Sequence, residues 1–394
     1  MTTTDATPVA PLGRRFIYKP RNWFLENTIR SPLRLVGLIF VVFIAYVALN
    51  NIVTGSYRID QFARQTIFGL AQGSVYALIA LGYTLVYGIL LMINFAHGEV
   101  FMSGAYIGFF VITALQNSGF LYTNTGIALL ITVFSGVLAS VTIAVALERI
   151  AYRPLRNAPR LVPLITAIGA SIALQQLFLR LFGVSTRRYP DVNFYVLPQL
   201  FPNLECHEVD GAEICRGLDL ISGRYDVNVL GINLRILPIH FLVFFVALVM
   251  MAALWFYIQR TKMGKAMRAV AEDKSTAALM GVNVDRVIVT TFVLGAALAG
   301  AGGVLYALYN QQVTPFIGFI PGIKAFTAAV LGGIGNIPGA MFGGLFLGVV
   351  ESVAPSMLGL SNQLKDVIAF SMLVLILIFR PTGILGEVLS HKKA

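Results

Sequence analysis

Residues 69–106 read GLAQGSVYALIALGYTLVYGILLMINFAHGEVFMSGAY. This stretch begins in one long apolar run and ends in another, Ala105–Leu115. Between the two runs stand three residues that are unusual in such surroundings, Asn94, His97 and Glu99. Because a helix that crosses a bilayer needs about 20 mostly apolar residues, we interpret the stretch as two membrane spans separated by a polar break.

The composition extends this interpretation to the whole chain, which is 57% hydrophobic and only 12% charged. Soluble domains carry about 25% charged residues, so an ordinary globular protein is excluded. The net charge of +11 does not indicate a nucleic-acid partner, because no basic run is interleaved with aromatic residues. Bacterial membrane proteins are basic for another reason, the excess of Lys and Arg in their cytoplasmic loops.

The fold class predicted from these runs is an all-α polytopic membrane protein. Backbone groups in lipid must be satisfied within a helix or a closed barrel, and long unbroken runs favour helices. We expect about ten transmembrane helices, including an N-terminal one and broken, Gly-rich ones. They are predicted at residues 33–50, 64–91, 97–115, 126–147, 161–183, 236–257, 287–308, 319–333, 338–354 and 364–380.

Lys and Arg residues predict the orientation of the chain in the membrane. They concentrate in the arm 1–32, in the loops 148–160 and 258–286, and in the tail 387–394 together with Arg380. With ten spans these segments share one side of the membrane, which is therefore the cytoplasmic side. We expect a multi-pass protein of the bacterial inner membrane with both termini in the cytoplasm. The first apolar run, near Leu33, has no A-x-A-like site after it, so it is interpreted as a retained helix.

The largest loop on the opposite side, residues 184–235, contains the only two cysteines of the chain, Cys206 and Cys215. The exported side of a bacterial inner membrane is oxidising, so a disulfide that closes a short hairpin is preferred over two free thiols. A metal site is disfavoured because only His207 accompanies the thiols, and a closed structural zinc site takes four ligands. No metal or cofactor is predicted.

Five motifs in order give the chain a resemblance to a known family. The opening stretch resembles the branched-chain amino acid ABC transporter permease family of the LivH type. The resemblance continues in ERIAYRPLRNAPRLVPLITAIGASIALQ (148–175) and RTKMGKAMRAVAEDKSTAALMGVNVDRVIVTTFVLGAALAGAGGVL (260–305). It ends with GFIPGIKAFTAAVLGGIGNIPGAMFGGLFLG (318–348) and KDVIAFSMLVLILIFRPTGILG (365–386).

The resemblance covers most of residues 60–386, which are therefore expected to form the permease domain. Residues 33–59 then form an added transmembrane helix and short external loop, and the loop 184–235 departs from the family's pattern. The resemblance implies an importer that works with a second homologous permease, two cytoplasmic ATPases and a soluble external binding protein. The chain lacks a G-x-x-x-x-G-K-[ST] phosphate loop, so we expect a transport subunit rather than an enzyme.

The cytoplasmic loop 258–286 is predicted to couple this permease to its ATPase. Small residues recur in it at helical spacing and would let another surface approach closely. The segment AEDKSTAALMGV resembles the coupling segment of ABC importer permeases, which implies a short helix seated in a cleft of the ATPase. The alternative is a solvated charged loop that only fixes orientation. The residues assigned to coupling are Arg268, Glu272, Asp273, Ala278 and Gly281.

Six residues are candidates for a substrate path or gate. They are Asn94, His97, Glu99, Tyr83, Tyr87 and Asn336. The break at Asn94 and the break at Asn336 resemble each other weakly, and paired broken helices mark transport sites in some transporters. The alternative for the first break is a plain turn, in which Asn94 or His97 satisfies free backbone groups and Glu99 favours the first helical turn.

Other polar residues inside spans are expected to pair within the bundle. Lys324 and Glu351 are expected either to pair across two helices or to take part in function. Gln175 is expected to bond across helices rather than to contact substrate.

Competing functions remain open from the sequence. The same architecture serves urea, amides or other amino acids in related systems. A stand-alone secondary transporter is disfavoured, because no mid-span carboxylate suits ion coupling and the coupling-like loop indicates a partner. A membrane enzyme ranks last, since the chain has four histidines and neither an H-E-x-x-H nor a G-x-S-x-G motif.

The cysteine prediction is tested by thiol alkylation on intact cells. We expect Cys206 and Cys215 to react with a membrane-impermeant maleimide only after treatment with a reductant, because a disulfide has no free thiolate. Two cysteines that are fully alkylated without reductant would show that no disulfide forms.

Overall fold

The computed structural model describes residues 32–386 except for 56, 157, 160, 191, 193–194, 197–205, 210–211, 216–217, 220, 222–224, 230–231 and 381. The predicted cytoplasmic arm, up to residue 31, and the predicted tail 387–394 lie outside the described residues.

Thirteen α-helices, most of them long, follow one another through the described part of the chain. They are α1 (Pro32–Val53), α2 (Ile59–Leu90), α3 (His97–Asn117), α4 (Phe120–Thr123), α5 (Thr125–Leu147), α6 (Leu161–Phe182), α7 (Pro238–Arg260), α8 (Lys262–Glu272), α9 (Lys274–Leu279), α10 (Val284–Asn310), α11 (Phe319–Gly332), α12 (Ile337–Met357) and α13 (Lys365–Phe379). A π-helical turn, Glu148–Tyr152, and a 3-10 turn, Arg153–Leu155, follow α5 directly.

The predicted fold class is confirmed. Among the described residues, eight helices are long and apolar enough to cross a membrane, and α11 and the Val42–Val53 part of α1 are shorter apolar helices. Each of the ten predicted spans falls on one of these helices. The 14 residues of α11 extend only about 21 Å, however, so this helix is too short for a hydrocarbon core of about 30 Å.

Short antiparallel hairpins occupy the described parts of the long loop between α6 and α7. The strands of this loop are β1 (Arg187–Arg188), β2 (Tyr195–Val196), β3 (Cys206–Val209), β4 (Ala212–Cys215), β5 (Leu218–Asp219), β6 (Tyr225–Val229) and β7 (Ile232–Ile236). β2 pairs with β5, β3 with β4, and β6 with β7, while β1 pairs with β8 (Gln312–Val313). The β1–β8 pairing ties this loop to the chain between α10 and α11.

The register of β3 and β4 bears on the predicted disulfide. Cys206 lies directly opposite Cys215 in this pair of strands. Directly opposite residues have Cβ atoms about 4.5–5.5 Å apart, close to the separation that a disulfide requires. The pairing of the backbone is thus compatible with the disulfide, which stays a prediction.

The centre of the bundle consists of α2, α3 and α10. Of the 18 most apolar consecutive residues of each candidate span, 83% are buried in α2, 67% in α3 and 72% in α10. The corresponding values are 22% in α6 and 6% in α13. The outer helices turn apolar side chains away from the bundle, as helices in contact with lipid do.

Glycines bring the backbones of α2 and α12 together, as the small-xxx-small spacing in α12 predicts. A Cβ added at Gly344 would lie 2.4 Å from Cα of Ala77, and one added at Gly348 would lie 2.2 Å from Cα of Gly73. No side chain fits between the two helices at these points. The contact fixes how α12 lies along the central helix.

The start of α3 lies inside the bundle rather than at its surface. A Cβ added at Gly82 of α2 would lie 2.0 Å from Nε2 of His97, and one at Gly295 of α10 would lie 3.6 Å from Cε1 of the same ring. Gly82 is eight residues before the end of α2, and Gly295 is eleven residues after the start of α10. At 1.5 Å per residue, the His97 ring is therefore roughly 12–16 Å inside the helix ends.

The start of α11 also lies inside the bundle, in contact with the start of α3. A Cβ added at Gly98 would lie 2.6 Å from the carbonyl oxygen of Gly318, and one added at Gly322 would lie 3.1 Å from Cα of Gly98. The residues between β8 and α11 therefore turn back into the bundle before the short helix begins. Two helix starts, those of α3 and α11, meet in the interior.

The glycine contact between α2 and α12 gives a stability test. We expect Gly344→Ala to lower the free energy of unfolding by about 1–3 kcal/mol, because the new methyl group must push two backbones apart. Thermal unfolding of the purified, detergent-solubilised protein measures the change. Gly88→Ala is the matched control, since nothing lies within 4 Å of a Cβ at that position of α2. Equal effects of the two changes would contradict the close contact.

Candidate functional site

A cavity of about 390 Å³ opens where the starts of α3 and α11 meet α2 and α6. It is lined by Tyr83, Phe95, Gly98, Glu99, Ile168, Ser171, Ile172, Gln175, Gly318, Phe319, Gly322 and Ile323. Two of the predicted path residues, Tyr83 and Glu99, therefore share one site.

Glu99 is the charged group of this cavity and is 1% exposed. One carboxylate oxygen, Oε1, accepts hydrogen bonds from Nε2 of Gln175 at 2.6 Å and from Oγ of Ser171 at 3.2 Å. The other oxygen, Oε2, has no hydrogen-bond partner in the part of the chain that the structure describes. Since an unsatisfied buried polar atom is costly, this oxygen is suited to accept from a donor that enters the cavity.

The rest of the cavity wall is almost entirely apolar. Ile168 and Ile172 of α6 and Phe319 and Ile323 of α11 line it. A small molecule with a positively charged donor at one end and a branched hydrocarbon at the other matches this arrangement. Ile168 and Ile172 are themselves 45% and 54% exposed, so the cavity is open along α6.

His97 is buried beside the cavity and does not line it. Its ring packs edge-on against Tyr83, with 5.1 Å between the ring centroids. No described residue forms a hydrogen bond with its Nε2. In the plain-turn alternative, Asn94 or His97 would satisfy free backbone groups. Ala96 is the N-cap residue of α3, however, and no side chain of the described residues caps this helix.

Asn94 instead anchors the break to the π-helical turn. Its Oδ1 accepts a hydrogen bond from the Tyr152 hydroxyl at 2.6 Å, and the Tyr152 ring stacks on Phe292 of α10. A π-turn inside a helix is rare and is often found at functional sites. Here it places the Tyr152 hydroxyl within hydrogen-bond distance of Asn94, which fixes the break before α3.

The same turn is joined to the start of α10 by ion pairs. Arg153 contacts Asp285 with 3.0 Å between Nη2 and Oδ2. Arg156 pairs both with Asp285 and with the fully buried Glu148. The loop after α5, the start of α10 and the start of α3 are thus one contiguous set of contacts.

Tyr87 and Asn336 are not brought into the cavity. Tyr87 lines a small recess next to it with Tyr83, Ile93 and Phe326.

Asn336 caps α12, with its Oδ1 accepting from the Gly339 amide at 3.1 Å, and its Nδ2 donates to the Leu385 carbonyl at 2.8 Å. Asn336 does not line the cavity, and the start of α3 lies against the turn at Gly318 instead. The idea that the breaks at Asn94 and Asn336 together mark a transport site stays a prediction.

Three residues of the site were not predicted from the sequence as contacts of the substrate path. Gln175 was expected to bond across helices, and it does so, but to the carboxylate of Glu99. Ser171 and Gln175 are four residues apart and share a face of an otherwise apolar helix. That polar pair was the available signal. Gly318 gave none, because only the tertiary structure turns it inward.

The pairing predicted for Lys324 and Glu351 is confirmed. Nζ of Lys324 donates to Oε1 of Glu351 at 2.6 Å, and both side chains are buried.

The predicted coupling loop forms two short helices, α8 and α9. Asp273 caps α9 by accepting from the Ser275 and Thr276 amides. Hydrogen bonds from the Ser275 side chain and the Thr276 amide lower the pKa of this carboxyl to about 2. Gly281 ends the segment with φ of +84°, a left-handed conformation that favours glycine.

The surface of this loop is more apolar than the sequence suggests. Leu279 is 88% exposed and Met280 is 80% exposed, and Ala278 and Glu272 are exposed beside them. Arg268 turns the other way, donating to the carbonyl of Ile258 and to Oε1 of Gln259. Arg268 therefore fixes α8 to the end of α7, and the apolar pair follows α9 on the outside.

Among the described residues, no three His, Cys, Asp or Glu side chains are grouped closely enough to hold a metal ion.

Comparison with known proteins identifies the relatives of this chain. A family model described as the permease component of a branched-chain amino acid transport system matches residues 65–377. α1 precedes this match. No solved structure matches the chain.

Three relatives of this chain are also named as permease proteins of branched-chain amino acid transport systems. The chain is 43% identical over 330 residues to the high-affinity branched-chain amino acid transport system permease protein BraD of Pseudomonas aeruginosa, covering 84% of this chain and 97% of BraD. It is 44% identical to LivH of Salmonella typhimurium over 330 residues, covering 83% of this chain and 96% of LivH. LivM of that organism, named as a permease protein of the same kind of system, is 30% identical over 147 residues, 36% of this chain and 33% of LivM.

Proposed function

This chain belongs to the branched-chain amino acid transport permease family, and from that premise we propose that it is the permease subunit of a binding-protein-dependent ABC importer for branched-chain amino acids. The family membership rests on a match over residues 65–377 and on identities of 43–44%. The particular cargo, the partners and the orientation in the membrane belong to the proposal.

The Glu99 cavity carries the proposal. A branched-chain amino acid has an ammonium, a carboxylate and a branched apolar side chain. The ammonium is met by the free Oε2 of Glu99, and the side chain by Ile168, Ile172 and Ile323. The carboxylate is favoured near the start of α11, where the helix dipole is positive.

The buried carboxylate also separates candidate cargoes. A charged group in a membrane interior is costly unless it is paired, and an amino acid's ammonium offsets the charge of Glu99. Urea and simple amides carry no such charge. The cavity therefore supports an amino acid over these alternatives.

A second permease completes the pathway in this proposal. The cavity is open along α6, where Ile168 and Ile172 are exposed, and one chain alone leaves it unclosed. LivH and LivM of Salmonella typhimurium are both named as permease proteins of a high-affinity branched-chain amino acid transport system. A second homologous permease packed along this face would close the cavity.

The energy for transport comes from separate ATPase subunits in this proposal, docked at α8 and α9. Two large apolar side chains, Leu279 and Met280, stand exposed on a loop with many charges. Exposed apolar groups rimmed by charge are typical of a docking site. The positive residues of this loop also support its predicted cytoplasmic location, which leaves the hairpins of the long loop on the exported side, toward a soluble binding protein.

The carboxylate of the cavity is tested by Glu99→Gln in the assembled transporter. We expect leucine uptake to fall by at least about tenfold, because a hydrogen bond to a charged group contributes roughly 1.5–3 kcal/mol. The amount of inserted protein should stay the same, since the amide keeps the shape and can still bond to Gln175. Uptake of radiolabelled leucine into proteoliposomes gives the measurement.

Asp60→Asn is the matched control for this change, because Asp60 pairs with Arg64 at the start of α2, outside the cavity. Leucine uptake by Glu99→Gln within about twofold of the parent would remove the cavity from the proposed pathway.

The docking surface is tested by Leu279→Ser combined with Met280→Ser. Burying a large apolar side chain contributes about 1.5–3 kcal/mol, so we expect the ATPase subunits to bind at least about tenfold more weakly. Pull-down of the ATPases and stimulated ATP hydrolysis measure the effect. Leu360→Ser, an exposed leucine at the other end of the bundle, is the control. Undiminished ATPase binding in the double variant would place the docking site elsewhere.

A further inference from the structure

A second cavity, of about 280 Å³, lies at the opposite end of the bundle from the coupling loop. It is formed by α2, the last turns of α12 and the start of α13. Its lining residues are Gln65, Phe68, Gln72, Glu351, Ser352, Asn362 and Lys365. Gln72 of this cavity and Tyr83 of the Glu99 cavity lie eleven residues apart on α2, about 16 Å along the helix.

Glu351 is the buried charge of this second cavity and is 2% exposed. Its Oε1 accepts from Lys324 at 2.6 Å and from Nε2 of Gln72 at 3.3 Å. Among the described residues, neither its Oε2 nor the buried Oγ of Ser352 next to it has a hydrogen-bond partner. Both atoms are buried, and both residues line the cavity.

The charges around this carboxylate exclude a simple cation as the ligand. Lys324 contacts both Glu351 and Asp366, each at 2.6 Å, and so offsets one of their two negative charges. Lys365 adds a second positive charge to the lining and is exposed. A ligand here needs a hydrogen-bond donor for Glu351 and an anionic group for Lys365.

We propose that this cavity is an outer binding site for a free α-amino acid, which the permease holds before it reaches the Glu99 cavity. The ligand's ammonium donates to Oε2 of Glu351 and to Oγ of Ser352. Its carboxylate pairs with Lys365 and accepts from the side-chain amide of Asn362, and its side chain lies on Phe68. The identity of the amino acid rests on the proposed function.

The four charged side chains of this region explain why the site accepts a zwitterion. Lys324, Lys365, Glu351 and Asp366 sum to zero, so a ligand with no net charge leaves the balance unchanged. An isolated anion or cation would upset this balance next to the buried pair of Lys324 and Glu351, where an uncompensated charge is costly. Both ends of the zwitterion are therefore needed for binding.

The test measures binding of radiolabelled leucine to the purified transporter in phosphatidylcholine nanodiscs, without binding protein or ATP. The transporter carries Glu99→Gln, so that the inner cavity contributes little to the signal. We expect leucine to bind at least about tenfold more tightly than leucinamide, which keeps the ammonium and lacks the carboxylate. Lys365→Gln should lower leucine affinity at least about tenfold and abolish the preference over leucinamide.

Two controls keep the test falsifiable. Lys365 is exposed, so its replacement does not disturb the buried pair of Lys324 and Glu351. Lys265→Gln, at an exposed position on the coupling loop, should leave leucine affinity unchanged. An unchanged leucine affinity in Lys365→Gln would overturn the outer site, while leucine uptake by the parent transporter would still uphold the proposed function.

A lipid head group is the other source of an ammonium and an anion on one molecule. Nanodiscs that also contain phosphatidylethanolamine should bind leucine with the same affinity. Competition by this lipid would assign the cavity to a head group and overturn the amino acid site. If the unmodified transporter binds leucine but does not take it up, the proposed function is contradicted and the outer site is not.

Discussion

The absence of side chains at a few interior glycines is the constraint on which the rest of the structure depends. Gly82 and Gly295 leave the space that the His97 ring occupies, and Gly98 lies against Gly318 and Gly322 with no room for a methyl group. These contacts allow the starts of α3 and α11 to enter the bundle. A larger residue at any of them would push one helix start away and remove the wall of the cavity between them.

A helix that begins inside the membrane brings polar groups with it, and the bundle has to satisfy them. Glu99 obtains hydrogen bonds from Ser171 and Gln175 of α6, and Asn94 obtains one from Tyr152. One oxygen of Glu99 has no hydrogen-bond partner among the residues that the structure describes. Because buried polar groups are normally hydrogen-bonded, this oxygen is the atom to which the proposal assigns the ammonium of the cargo.

Much of the fold was predictable because the signals are local. Apolar runs of sufficient length located the ten helices that were predicted to span the membrane. Asp273, which was assigned only to coupling, is the N-cap of α9, and Gly281 follows that helix in a left-handed conformation. The site was predictable only in part. Tyr83 and Glu99 lie close together in the sequence and line one cavity, whereas Asn336 caps α12 and bonds to Leu385.

The sequence by itself determined the membrane class, the order of the helices and the family, because each depends on composition or on contiguous motifs. Only the tertiary structure decided which distant residues meet. Gly318 contacts Gly98, and Gln175 reaches Glu99, across more than seventy residues of chain. Such contacts depend on how closely helices approach, and closeness is set by packing that no single segment encodes.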